Sequence, residues 1–227
     1  MIKWGIGVAT AALATMAVGG EAQAQTGYWS VGTGWTFLDN ADTRIENGIS
    51  PGNDINMTFE TDDNINGRAA LGSDLGFLRV EVEVGMASMD VNSYDSRNPP
   101  NVSRTADGTI GLYTAMANAF WDIDAGMGGV TPFLGLGIGA VQAELEMSGP
   151  RPTAPNGPVV SLIDNDQVNL GWQLMGGLSI PVFGNTQLTA QYRFFEAGTM
   201  DTIDTLGRAT GVEIKGSSLD VGLRVPF

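Results

Sequence analysis

The chain's densest chemistry-bearing pattern is Arg79, Glu81 and Glu83, one cation and two carboxylates spaced by two. That spacing places all three on one face of an extended strand. Arg68, Gln191, Arg193, Asp220 and Arg224 occupy equivalent polar phases of other alternating segments. Four guanidinium groups then stand against Glu81, Glu83 and Asp220, a near balance that suits an enclosed interior, where an unpaired ion is costly. Such a set can act in two ways, as an ion-pair network that fills a barrel or as the polar gate of a narrow pore. An interior enclosed by about eight strands is just wide enough for side chains to fill, so the filled network is the expected reading.

The remaining motifs offer less. Gly135, Gly137 and Gly139 spell G-x-G-x-G, but a phosphate loop needs a turn entering a helix. These glycines lie in mid-strand and are expected to make room for large neighbours such as arginine or tyrosine. Asp39, Asp42, Glu46, Asp54, Glu60, Asp62 and Asp63 crowd one long segment. Carboxylates can hold divalent cations, yet the spacing fits no defined calcium loop and reads as a solvated surface. The proline-rich stretch 148–158 is expected to be irregular and exposed. No metal site and no cofactor are expected.

Two absences narrow the chemistry further. There is no histidine and no cysteine, which removes histidine-dependent hydrolysis, imidazole and thiolate metal sites and disulfides. The net charge of -14, with no basic face, argues against a nucleic-acid partner.

The elements that must position these groups follow a period of two. Trp29, Val31, Trp35 and Phe37 alternate with Tyr28, Ser30, Gly32, Gly34 and Thr36. The same alternation covers 64–71, 78–86, 132–139, 167–179, 188–194 and 218–227, while 110–121 is apolar without a clear face. This predicts about eight strands, each near the ~10 residues that a tilted membrane strand needs. Short connections at 72–76, 122–129 and 181–185 alternate with long ones at 38–64, 88–108, 143–166 and 197–211. Taken as 39–64, 88–108, 143–166 and 196–213, the long segments hold 18 of the 25 acids and 5 of the 11 basic residues, a net of -13. Trp29, Trp35, Phe37, Trp121, Tyr192, Phe194 and Phe227 fall near strand ends, where interfacial aromatics belong.

At the start, a cationic Met1-Ile2-Lys3, an apolar stretch to Val18 and Ala22-Gln23-Ala24 form a signal-peptide pattern. The expected division is 1–24 as signal peptide and 25–227 as one barrel domain. No later segment could cross a membrane as a helix, which leaves a closed barrel as the way to span. A soluble sandwich would show the same alternation with its apolar face turned inward; the export signal, loop alternation, aromatic placement and charge distribution favour the membrane barrel.

The stretches 116–122 (MANAFWD) and 130–139 (VTPFLGLGIG), with 188–195 (LTAQYRFF) and 217–227 (SSLDVGLRVPF), resemble hallmarks of small outer-membrane β-barrel proteins. These are the opacity-type and porin-family surface proteins related to the outer membrane protein A barrel. The resemblance implies an all-β, antiparallel up-and-down transmembrane barrel with short periplasmic turns and long extracellular loops. It implies a place in the cell outer membrane among lipid and lipopolysaccharide. It also implies that the terminal Phe227 is a signal to the barrel-assembly machinery. A structural or surface-contact role is expected, with host or phage ligands for the long loops, in a monomeric non-enzyme. A narrow channel for ions or small solutes is the alternative, and a soluble periplasmic ligand binder a further one.

Overall fold

The computed structural model describes residues 26–38, 43–45, 55–96, 102–124, 126, 128–150, 159–203 and 209–227. The signal-peptide pattern, Asp39, Asp42, Glu46 and Asp54, and 151–158 lie outside the described residues. The side chains of Glu60, Asp62 and Asp63 also fall outside the description.

The described residues form β-strands joined by turns. These are β1 (Thr26–Leu38), β2 (Thr43–Ile45), β3 (Ile55–Asp74), β4 (Leu78–Ser96), β5 (Val102–Asp122), β6 (Thr131–Pro150), β7 (Val159–Phe183), β8 (Thr186–Ile203) and β9 (Ala209–Pro226). Each long strand pairs antiparallel with its sequence neighbours. β1 pairs with β3 on one side and β9 on the other, which closes the sheet. The short β2 sits between the same two neighbours and continues β1's position. The result is a closed barrel of eight staves with no free edge along the wall that β1 completes.

Tight turns at one end follow from local chemistry. Gly76 adopts φ 96°, a region that disfavours a Cβ, and its N–H donates to Asp74 Oδ1 at 2.8 Å. Gly184, at φ 56°, opens the two-residue turn between β7 and β8.

The opposite end differs from the sequence expectation. Strands expected near ten residues run from 18 to 25 in β3 to β9. Much of the four long segments is therefore paired strand rather than loop: Met57 opposes Ser96, and Pro150 opposes Val159. The physical reason is that alternation records a difference between the two faces of a strand. Where both faces are polar the alternation vanishes, but the hydrogen-bond ladder continues. Among the described residues β7 and β8 pair only between Trp172↔Glu196 and Phe183↔Thr186, and β1 pairs with β3 only over Thr26–Trp35.

Burial is inverted relative to a soluble protein. Leu170 is 71% exposed and Leu136 61%, whereas Glu83 is 3% and Asp220 2% exposed. The apolar faces point outward and the ionisable faces inward, so the soluble sandwich with an inward apolar face is not the fold. β5 resolves as well: Leu112, Met116, Asn118 and Phe120 are buried inside, and Tyr113 and Trp121 are exposed outside. Both of its faces are apolar, so hydropathy could not separate them.

Candidate functional site

The barrel interior gathers the seven ionisable residues expected in the lumen, Arg68, Arg79, Glu81, Glu83, Arg193, Asp220 and Arg224, and it does so in two tiers. The tier nearer the turns centres on Arg79. Its Nε and Nη2 donate to Asp122 Oδ2 and Oδ1 at 2.6 and 2.9 Å, a bidentate pair. Its guanidinium carbon lies 4.7 Å from the Phe120 ring centroid and 5.3 Å from that of Phe133. The two rings meet edge to face at 5.7 Å, so the cation rests on an aromatic floor. Arg224 lies in the same tier, 5.4 Å from the Tyr28 ring. Its Nη2 donates to Ser179 Oγ at 3.2 Å and to Gln187 Oε1.

The upper tier centres on Arg193, whose Nη1 and Nη2 donate to Glu83 Oε1 and Oε2 at 2.6 and 2.8 Å. Nη1 also donates to Gln173 Oε1 at 2.6 Å, and Gln173 passes a hydrogen bond to Asn118 Oδ1 at 2.7 Å. Arg68 Nη1 pairs with Asp220 Oδ2 at 2.5 Å. Asp220 also accepts from Asn66 Nδ2 at 2.9 Å and from Gln191 Nε2 at 3.2 Å. β3, β4, β8 and β9 thus each send one charge to the same level, which only ring closure allows.

Sequence reasoning assigned Asp122 to a turn and counted three carboxylates against four arginines. With Asp122, four carboxylates join the four arginines in the two tiers among the described residues. The missed signal was parity: Asp122 lies two residues after Phe120, which faces inward, in a strand whose faces hydropathy does not separate. Tyr28, Phe120, Phe133, Asn118 and Gln173 are likewise interior residues that the charge-based reading did not single out.

Above the upper tier the lumen turns apolar. A cavity of about 70 Å³ has Arg68, Glu83 and Arg193 at its floor and Leu112, Met116 and Val141 in its wall. The expected neighbours of the glycine row also change. A Cβ on Gly135 would strike Phe120, one on Gly137 would strike Asn118 and Gln173, and one on Gly139 would strike Met116. None of these is an arginine or a tyrosine. Those two residue types fill the space over Gly32, beside Arg68, and Gly72, beside Tyr28. Gly137→Val is expected to destabilise the barrel by about 1–3 kcal/mol through overpacking, read as a lower urea midpoint for loss of the folded band on an unheated gel.

The aromatics chosen from the sequence all lie on the outer face. Trp29, Trp35, Phe37, Trp121, Tyr192 and Phe227 are exposed, and Phe194 packs on Trp172 with ring centroids 5.5 Å apart. Phe227 N donates to Gly27 O at 2.9 Å, which ties the chain end to β1.

A closed barrel with a charged interior and an apolar exterior agrees with a sequence comparison: the family model described as outer membrane protein beta-barrel domain matches residues 8–227. The chain belongs to that family. As a member of it, this outer-membrane barrel sits in the lipid of the outer membrane, and its exposed apolar face is the one that meets that lipid. Solved structures share the fold. Neisserial surface protein A is 18% identical with a TM-score of 0.52, covering 88% of this chain and 97% of its own. OprG from Pseudomonas aeruginosa is 11% identical with a TM-score of 0.53, covering 89% and 97%. The outer membrane protease OmpT from Escherichia coli is 9% identical with a TM-score of 0.56, covering 91% and 99%. A comparison with curated proteins finds no match.

Proposed function

We infer that this outer-membrane barrel is a closed structural and surface-contact protein, with its lumen plugged and its activity displayed by the acidic segments at the end opposite the turns. One observation carries the reading: three close arginine–carboxylate pairs lock the interior, with Arg193 and Glu83 joined at 2.6 and 2.8 Å from strands on opposite walls. An ion crossing the lumen would have to displace those pairs at a large cost in desolvation. The folded protein in planar lipid bilayers is expected to stay electrically silent under applied voltage. Discrete conductance steps would replace this reading with that of a narrow channel.

The same reading makes the protein a non-enzyme, in keeping with the absence of histidine from its sequence. It also gives Phe227 a role outside the folded state. The residue is 77% exposed just past β9, which leaves it available to the assembly machinery. Phe227→Ala is expected to lower the amount of folded protein in the outer membrane of cells several-fold. Refolding of the purified chain from urea into detergent should be nearly unchanged. Equal loss in both assays would make Phe227 a stability residue and remove the assembly role. Lipopolysaccharide around the outer rim, and a host or phage ligand on the acidic segments, complete the proposed set of partners for a monomer.

A further inference from the structure

Between the two ion-pair tiers lies a separate chamber of about 30 Å³. Two of its lining groups are poorly satisfied. Arg224, 5% exposed, meets protein acceptors through Nη2, but its buried Nη1 has no protein partner among the described residues. Among the described residues Glu81, 7% exposed, has only distant contacts: Arg79 Nη1 at 3.7 Å and the Ser30 hydroxyl, which donates at 3.4 Å. The other three interior arginines each hold a carboxylate at 2.6 Å or closer. Arg224 and Glu81 are therefore the pair left over when the rest of the lumen is matched, and the chamber is lined by both.

We propose that this chamber is a resident hydration site, in which water links Arg224 Nη1 to the Glu81 carboxylate. Size supports it. One water needs roughly 10–15 Å³ of such volume, so the chamber clears the minimum for at least one. Chemistry supports it as well, because Arg224 donates, Glu81 accepts, and Ser30, Thr189 and Gln191 add polar groups. Water needs two to four such partners to remain in a buried site. The charge count selects water over an anion: among the described residues of the two tiers four arginines face four carboxylates, with no surplus positive charge, and Glu81 itself would repel a halide. The inference concerns the interior alone and stands whether or not the barrel conducts.

The first test is a crystal structure of the full-length mature protein in detergent, at a resolution that orders water, with a matched bromide soak. Density within hydrogen-bond distance of both Arg224 Nη1 and Glu81, with no bromide signal, is the expected result. Direct contact between the two side chains, an empty chamber, or a bromide peak in it would each overturn the proposal. The second test fills the space. Thr189→Leu should expel the water and lower the folded-to-unfolded ratio about tenfold or more, the cost of stranding a buried polar group. Thr189→Val, which adds no volume, should lower it less. If Thr189→Leu instead stabilises the barrel, the chamber is dry and the proposal fails. Should that variant not fold, the wild-type density decides.

Discussion

Arg193→Met is expected to cost the folded barrel about 3–5 kcal/mol, the penalty for breaking a buried ion pair and leaving one partner charged. Arg193 is the residue to choose because so much converges on it. It holds both oxygens of Glu83, donates to Gln173 Oε1 and lies 3.5 Å from Asp220. Removing it strands Glu83, which is 3% exposed. Arg68 Nε, at 3.9 Å, is too far to replace a bidentate partner without leaving Asp220. The check is a urea titration of the protein folded into lipid vesicles, followed by the mobility difference between heated and unheated samples. The double variant Arg193→Met with Glu83→Leu should recover most of the loss, since replacing both partners with apolar groups of similar volume is often near neutral. A single variant within about 1 kcal/mol of wild type would mean that the pair is solvated and the plug is loose, which would also weaken the closed-barrel reading.

The second large effect belongs to the opposite face. Leu136→Arg is expected to destabilise the barrel by about 2–4 kcal/mol when folded in vesicles, the cost of a cation at the bilayer midplane. Leu136 is 61% exposed in the middle of the outward row of Pro132, Leu134 and Ile138 on β6. On a soluble protein, an exposed leucine changed to arginine shifts stability by no more than about 0.5 kcal/mol. The two environments therefore predict different magnitudes for one substitution. A similar change at Phe37, next to the end of β1 on the same outer face, should cost less, because the penalty falls away near the interface. Equal, small effects at both positions would show that this face meets water.

The sequence by itself determined the strand faces wherever the two sides of a strand meet different media. Residues 78–86 alternate valine with arginine and glutamate, and no structure was needed to see which set belongs together. The short turns at Gly76 and Gly184 were legible for a related reason: a positive φ selects glycine, and that choice is local. The near balance of interior charge was legible too, since it is a count over one parity.

What only the tertiary structure decided falls into three parts, each with its own cause. The extent of the strands beyond the apolar band was hidden, because ladder hydrogen bonds use the backbone and leave no mark on side-chain polarity. The face of β5 was hidden, because Leu112, Met116 and Phe120 inside and Ala115, Ala117 and Ala119 outside differ in size rather than in hydropathy. The pairing of charges was hidden most deeply. Arg193 is 110 residues from Glu83, and Asn66 is 154 from Asp220. Only closure of β1 onto β9 brings those strands around one lumen, where shear sets which charge stands at which height. Asp122 shows the consequence: in the sequence it is one more acid before a glycine-rich turn, and in the barrel it is the fourth carboxylate, held by Arg79 from the adjacent strand.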